Sequence, residues 1–524
     1  MKRISGYIAA GIATICLVIT SCTADFEDFN TPKYQPTNLP ASAFFPQMLD
    51  RLANPQQNNC QWFNTMYSCY GGQITAPHSW SRSTLFSTFN VDDAWNNNIV
   101  PSYLTSFYPS FFSVQRQTGS QGYTYALASV LRVYVIHVVA SIQGPVPYTS
   151  VADGALSVPY DSEEEAWTAM FEELDEAIRV LKQAATVSGL DELNNVDRIY
   201  GGDLNKWIKF ANTLKLRMAI RISGVAPVLA REKAEEAVRD GVMTSVSDSA
   251  YDHLNGRQPN GYNIVATWGE LKANATLTAY MNGYNDPRRE KYFTPQTKDS
   301  KAPYQYIGVR SGIAGALKED YATASGLIYE GLTNTTPMPV MFAAEAYFLR
   351  AEGALKGWNM DGTAQSLYEE GIRNSMQEWG VTNETTIANY ISNTTNRPAS
   401  HTDLFNTSHN HTAPSTIPVG WSGASTQEQH LEQIITQKWI ANLTISLEGW
   451  CDFRRTGYPK IFEPVNNLSQ WGCTNERQVR RLRFPLNEYN TNRENVEAAI
   501  QMLSSATDSE NTDLWWAKKA NGSY

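Results

Sequence analysis

The chain has 524 residues and a formal net charge of −10, from 42 Lys and Arg against 52 Asp and Glu. That acidic balance argues against nucleic-acid binding, which needs a basic footprint. Its 27 Tyr, 19 Phe and 14 Trp, against 18% charged residues, supply a large core and leave a surplus that can line a binding face.

Lys2 and Arg3 open the chain as a basic n-region, and Ile8 to Ile19 form an apolar h-region of about a dozen residues. That run falls short of the roughly 20 apolar residues that a spanning helix needs. Thr20 and Ser21 then precede Cys22, so that Ile19-Thr20-Ser21-Cys22 resembles a bacterial lipobox, whose cleavage exposes the cysteine for acylation. An ordinary signal peptide with a chance cysteine is the alternative. The expected division is 1–21 signal peptide, 22–36 acylated N-terminus and flexible tether, and 37–524 a single helical domain. Loss of the leader takes the formal charge from −10 to −12. Asp25, Glu27 and Asp28 resemble the acidic export tag of surface-exposed lipoproteins. No later stretch reads as a membrane span.

Cys60, Cys69, Cys451 and Cys473 come after Cys22. An oxidising compartment permits disulfides among them in any of three pairings. Buried free thiols are the alternative, and the lack of a C-x-x-C pair speaks against zinc.

The first candidate ligand contacts come in "ITAPHSWSRSTLFSTFN", which sets His78, Trp80, Arg82, Phe86 and Asn90 in a loop rich in Pro and Ser. Sugars are bound by flat aromatic faces with amides and charges around them. Trp80 leads, because a tryptophan amid polar loop residues is costly without a partner; packing onto the first helices is the competing explanation.

Helices dominate the middle of the chain. "TYALASVLRVYVIHVVASI" reads as one. "DSEEEAWTAMFEELDEAIRVLKQ" opens with Ser162 and Glu165, an S-x-x-E capping box. Its apolar positions Ala166, Met170, Leu174, Ala177, Ile178 and Leu181 keep the helical period. "LNKWIKFANTLKLRMAIRIS" carries the stripe Trp207, Ala211, Leu214, Met218 and Ile222, with Lys206, Lys209, Thr213, Arg217 and Arg221 on other faces.

A long polar stretch, Ser245 to Asn263, runs into "NGYNIVATWGE", which offers Asn260, Tyr262, Asn263 and Trp268 as further ligand contacts. Arg310 and Trp421 are added from loop context alone. "MFAAEAYFLRAEGALKGW" and "GTAQSLYEEGIRNSMQEWG" form a helical pair in which small residues let neighbours approach, as in a tetratricopeptide unit.

Val381 to Thr426 is a second long polar stretch, and loops of that length are usually functional or mobile. It holds His401, His409 and His411 with Asp403, a set that matches no established ligand spacing and reads as a solvated loop. Another helix runs through "EQHLEQIITQKWIANL". In "EGWCDFRRTGYP", Glu448, Asp452, Arg454 and Arg455 fall within two turns and read as a structural ion network. No G-x-S-x-G, H-E-x-x-H, P-loop or G-x-G-x-x-G is present. No catalytic residue, metal site or cofactor is expected, apart from covalent lipid on Cys22. The fold class is predominantly all-α with long loops and minor β-hairpins.

Several phrases in order carry a family resemblance. They are "GPVPYTS" (Gly144–Ser150), "IYGGDLNKWIKFANTLKLRMAIRIS", "NDPRREKYF" (Asn285–Phe293), "AEAYFLRAEGALKGW", "YEEGIRNSM", "TQKWIANL", "EGWCDFRRTGYP" and "RRLRFPLNEYNTN". Together they resemble the SusD/RagB family of nutrient-binding outer-membrane lipoproteins, in its SusD-like branch. One departure is visible: the family often has an acidic residue just before the G-x-x-P-Y phrase, where this chain has Ser141 and Gln143. The resemblance implies tetratricopeptide-like hairpins and a lipid-anchored lid on the extracellular side of the outer membrane. It also implies capture of an oligosaccharide, or in some branches a peptide, and delivery to a SusC-like TonB-dependent transporter without chemistry. A surface glycan hydrolase is the third reading.

Overall fold

Helices begin where the sequence places their caps. Ser162 Oγ accepts from the Glu165 amide at 3.3 Å while Glu165 accepts from the Ser162 amide at 3.1 Å, closing the capping box ahead of Glu163–Ala184. Asp203 accepts from the Asn205 and Lys206 amides at the head of Leu204–Arg221. Both caps satisfy N–H groups that a first helical turn leaves open.

The structure, a computed structural model, describes residues 39–54, 61–78, 86–155, 157–327 and 331–517. Cys22, Cys60, Trp80 and Arg82 lie outside them. In chain order the described helices are α1 (Phe45–Ala53), α2 (Gln61–Tyr70), α3 (Asp93–Thr118), α4 (Gly122–Ile142), α5 (Glu163–Ala184), α6 (Leu204–Arg221) and α7 (Pro227–Asp240). After these come α8 (Gly261–Thr267), α9 (Ala275–Gly283), α10 (Arg289–Tyr292), α11 (Ala343–Leu355), α12 (Ala364–Glu378) and α13 (Glu384–Ile391). The last are α14 (Gln427–Ala441), α15 (Ser446–Thr456), α16 (Leu486–Thr491) and α17 (Arg493–Met502). Four short strands, β1 (Ile74–Thr75), β2 (Ala250–Asp252), β3 (Lys272–Ala273) and β4 (Met338–Met341), pair antiparallel as β1 with β3 and β2 with β4. The predominantly α expectation holds, and the small strands clamp together segments that are distant in the chain.

Neighbouring helices lie on one another from α3 through α7, and α11 lies on α12 and α14. α11 also meets α6, which joins the two runs along one seam. The tetratricopeptide-like pair depends on a small residue: a Cβ on Gly371 of α12 would sit 2.9 Å from the buried ring of Phe348 on α11. α4 corrects one expectation. It is long and apolar enough to cross a bilayer, yet it is almost wholly buried inside the protein, as a core helix.

The seam is ionic. Arg217 of α6 forks onto Glu345 of α11 at 2.7 and 2.8 Å. Arg221 bonds Glu448 of α15, and Lys438 of α14 donates to Asp452 of α15 at 2.9 Å. Arg455 pairs with Glu352 at 2.6 and 2.8 Å and with Asp452 at 3.0 Å. All eight side chains are buried. Burial alone would raise the Glu448 pKa, but Arg217, Arg221 and Lys438 overcome it and hold the carboxyl far below its usual range. Glu352, buried beside Arg455 and Lys356, is held at about 2 in the same way. Arg221 also donates to Ser141 Oγ at 2.5 Å, so the departure at that position takes part in the seam as a neutral acceptor. Beside it, the Arg454 guanidinium lies over Trp450 at 3.6 Å and Trp516 at 4.8 Å.

The histidine loop corrects another expectation. His401 and His409 are buried, not solvated, and their Nε2 and Nδ1 approach Asp403 Oδ2 at 3.5 and 3.7 Å. His401 also bridges His411 through the backbone, closing the loop on itself. Among the described residues no group of three His, Cys, Asp or Glu is placed to hold a metal ion. Cys69, Cys451 and Cys473 are buried free thiols.

Two measurements probe the seam. Glu345→Gln removes the carboxylate that Arg217 forks onto and should cost about 3–5 kcal/mol in urea unfolding; a loss under about 1 kcal/mol would show that the pair does not hold the seam. His137 of α4 is buried, and with Arg221 and Arg217 nearby its pKa is pushed down to about 3. The unfolded chain therefore binds a proton near pH 6.5 that the folded one refuses, so stability from this group is present above pH 6.5 and lost as the pH falls. Between pH 6.5 and 5 the loss is about 2 kcal/mol, and His137→Gln should abolish it in unfolding titrations.

Candidate functional site

Five loop segments meet on one side of the helical body. The β1–β3 ladder pairs Ile74 with Ala273 and Thr75 with Lys272. Around it Val309 N bonds Ala273 O at 2.9 Å and Ala273 N bonds Ser325 O at 2.8 Å. Val465 N bonds Ser311 O at 2.8 Å, Asn466 N bonds Gly312 O at 2.9 Å, and Leu468 N bonds Thr88 O at 2.8 Å. Gly312 permits this junction twice over. Its φ of +83° suits glycine, and a Cβ there would lie 2.7 Å from Pro464 and Val465.

The side chains on this face are aromatic and charged together. Trp268 and Trp471 are 41% and 38% exposed, and Leu317 and Leu468 are exposed as well. Lys318 Cε lies 3.1 Å from where a Cβ on Gly269 would sit, which brings its ammonium beside the Trp268 loop. Lys272 donates to Ala322 O at 2.9 Å. Burial, with Lys318 and Lys272 nearby, lowers the His78 pKa and keeps the ring neutral. Burial raises Glu270 against the pull of Lys318. Flat rings flanked by donors and acceptors suit the apolar face and hydroxyl edge of a sugar ring.

The residues read from the sequence separate into those on this face and those that support it. His78 and Trp268 belong to this face. Phe86 is 1% exposed, in edge contact with Tyr70 and Trp95, and works as core. Asn260 caps α8: its Oδ1 accepts from Tyr262 N at 2.9 Å and Asn263 N at 3.1 Å, and its Nδ2 donates to Thr336 O. Tyr262 is buried and donates to Thr444 O at 2.9 Å, and Asn263 donates to Asn334. These three hold the helix whose far end carries Trp268. Arg310 is buried, donating to the carbonyls of His409 and Glu463, with Phe462 beneath its guanidinium. Trp421 is elsewhere, stacked on His430 at 3.9 Å against the α12–α14 pair. Lys272, Lys318, Leu468 and Trp471 were missed. Trp471 had a signal, a tryptophan amid polar residues in "NLSQWGC", the criterion that singled out Trp80.

A concavity of about 470 Å³ runs along α3, walled by Pro101, Leu104, Tyr108 and Phe112 and closed by Tyr160 and Pro485. Its walls are largely apolar.

The SusD-like family model, described as Susd and RagB outer membrane lipoprotein, matches residues 25–517. A crystal structure of a SusD-like protein from Bacteroides thetaiotaomicron VPI-5482 is 48% identical with a TM-score of 0.87, covering 93% of this chain and 100% of that one. A chitin-binding SusD homolog from Flavobacterium johnsoniae is 34% identical with a TM-score of 0.85, covering 91% and 98%. A homolog from Bacteroides ovatus ATCC 8483 is 34% identical with a TM-score of 0.84, covering 91% and 99%. No curated protein matches the chain.

Proposed function

The chain belongs to the SusD/RagB family of outer-membrane lipoproteins, and on that premise we propose that it captures oligosaccharide on the loop face and passes it unaltered to a SusC-like TonB-dependent transporter. Acylation at Cys22 anchors it, and the acidic residues just beyond direct it to the cell surface. Acyl chains contribute about 0.8 kcal/mol per buried CH₂, so several chains hold a lid beside its channel where one would let go.

The observation that carries this reading is the face itself. Trp268 stands exposed on the loop that Lys318 packs against, and His78 and Glu270 lie within the field of the same ammonium. Trp80 and Arg82, between His78 and Phe86 in the chain, are proposed as further contacts. Chitin, bound by the 34% identical Flavobacterium johnsoniae homolog, is the first ligand class to try.

One observation favours a second reading. The apolar groove along α3, with its Pro and Tyr walls, suits an extended peptide better than a sugar. A peptide co-purifying with the protein, identified by mass spectrometry, would transfer the proposal to that groove. Turnover of a labelled glycan, abolished by one carboxylate change, would instead establish a hydrolase.

Native electrophoresis in gels cast with glycol chitin, xylan, soluble starch or hydroxyethyl cellulose tests the glycan reading. At least one polymer should retard the protein, and Trp268→Ala should weaken that binding about tenfold, or ~1.4 kcal/mol. Retardation that survives Trp268→Ala unchanged would move the site off this face.

A further inference from the structure

We propose that Trp471 is a second sugar-stacking platform, taking a ring of the same glycan chain beyond the one that Trp268 contacts. The proposal rests on the glycan-receptor reading.

An exposed tryptophan normally has no reason to hold one orientation. Trp471 has several. The Arg483 guanidinium lies 3.8 Å from its ring centre and covers one face. Arg483 is itself held by Asp93 at 2.8 Å and Glu510 at 3.4 Å, with its side chain only 10% exposed. The loop is fixed as well: Ser509 Oγ donates to Trp471 O at 2.6 Å, and Trp471 N donates to Ser469 Oγ at 3.2 Å. Asn467 Nδ2 closes the turn onto Cys473 O at 2.7 Å.

A ring propped in this way and 38% exposed has little rotamer freedom left to lose when a ligand stacks on it. The Asp93 carboxylate, 54% exposed beside the same guanidinium, is an acceptor for sugar hydroxyls. Leu468, three residues earlier, is bonded through its backbone to Thr88, whose neighbour Ser87 bonds Ala76 beside β1, and β1 pairs with the β3 strand that follows the Trp268 loop. Two separate rings on different loops select a polymer over a monosaccharide. A short oligomer reaches one ring, and a long one reaches both.

The test compares wild type, Trp471→Ala and Trp471→Phe, each with an unchanged thermal melt, by titration calorimetry. The probes are the dimer and the hexamer of whichever gel polymer retards wild type. Trp471→Ala should bind the hexamer about tenfold more weakly and the dimer within twofold of wild type, and Trp471→Phe should restore most of the hexamer affinity. Unchanged hexamer affinity in Trp471→Ala, or an equal loss for dimer and hexamer, would overturn the second platform while leaving the receptor reading intact. Failure of every polymer to retard wild type would overturn both.

Discussion

A charge buried without a partner costs several kcal/mol, and a buried ion pair that loses one member is strongly destabilising. In this protein Arg217, Arg221, Lys438 and Arg455 are buried opposite Glu345, Glu352, Glu448 and Asp452. The four cations and four carboxylates come from α6, α11, α14 and α15, so those helices must assemble together or leave charges stranded. Arg217 bridges two of the elements, contacting Glu345 at 2.7 Å and Glu448 at 3.6 Å, and Lys438 reaches Glu345 at 3.9 Å as well as Asp452 at 2.9 Å. The seam thus sets the register between the N-terminal run of helices and the later tetratricopeptide-like pair.

That arrangement divides the molecule. Small residues such as Gly371 and bulky ones such as Phe348 build tight helix pairs that bury most of the apolar surface. The connections between them are left outside, and short clamps hold them: the β1–β3 ladder and the backbone bonds from Ser311, Gly312 and Thr88 to the 465–468 segment. Rigid helices under clamped loops give a surface whose side chains are positioned before any ligand arrives. Such preorganisation lowers the ordering cost of binding.

The helices were legible because their signals are local. The capping box at Ser162, the stripe through Trp207 and Ile222 and the small residues of the α11–α12 pair each lie within one segment. The seam was half legible. The phrases "LRMAIRIS", "AEAYFLRAEG", "TQKWIANL" and "EGWCDFRRTG" stood out, but nothing in one chain says that Arg217 meets Glu345 128 positions later. Arg217 and Arg221 were placed away from the apolar stripe, and they are buried all the same because their partners come from other helices. The candidate site was least legible. A polar loop context marked Trp268, which is exposed, yet it also marked Arg310, Asn260 and Tyr262, which serve carbonyls and caps inside the protein. Lys318 gave no signal at all, since its place beside Gly269 depends on tertiary contacts.

Hydrogen–deuterium exchange on the intact chain, with and without the polymer that retards it, tests this division between scaffold and face most directly. Added protection is expected in 73–78, 268–275, 309–318 and 464–471, with α11, α12 and α14 unchanged. Protection confined to α11, α12 and α14, with those loops unaffected, would contradict it.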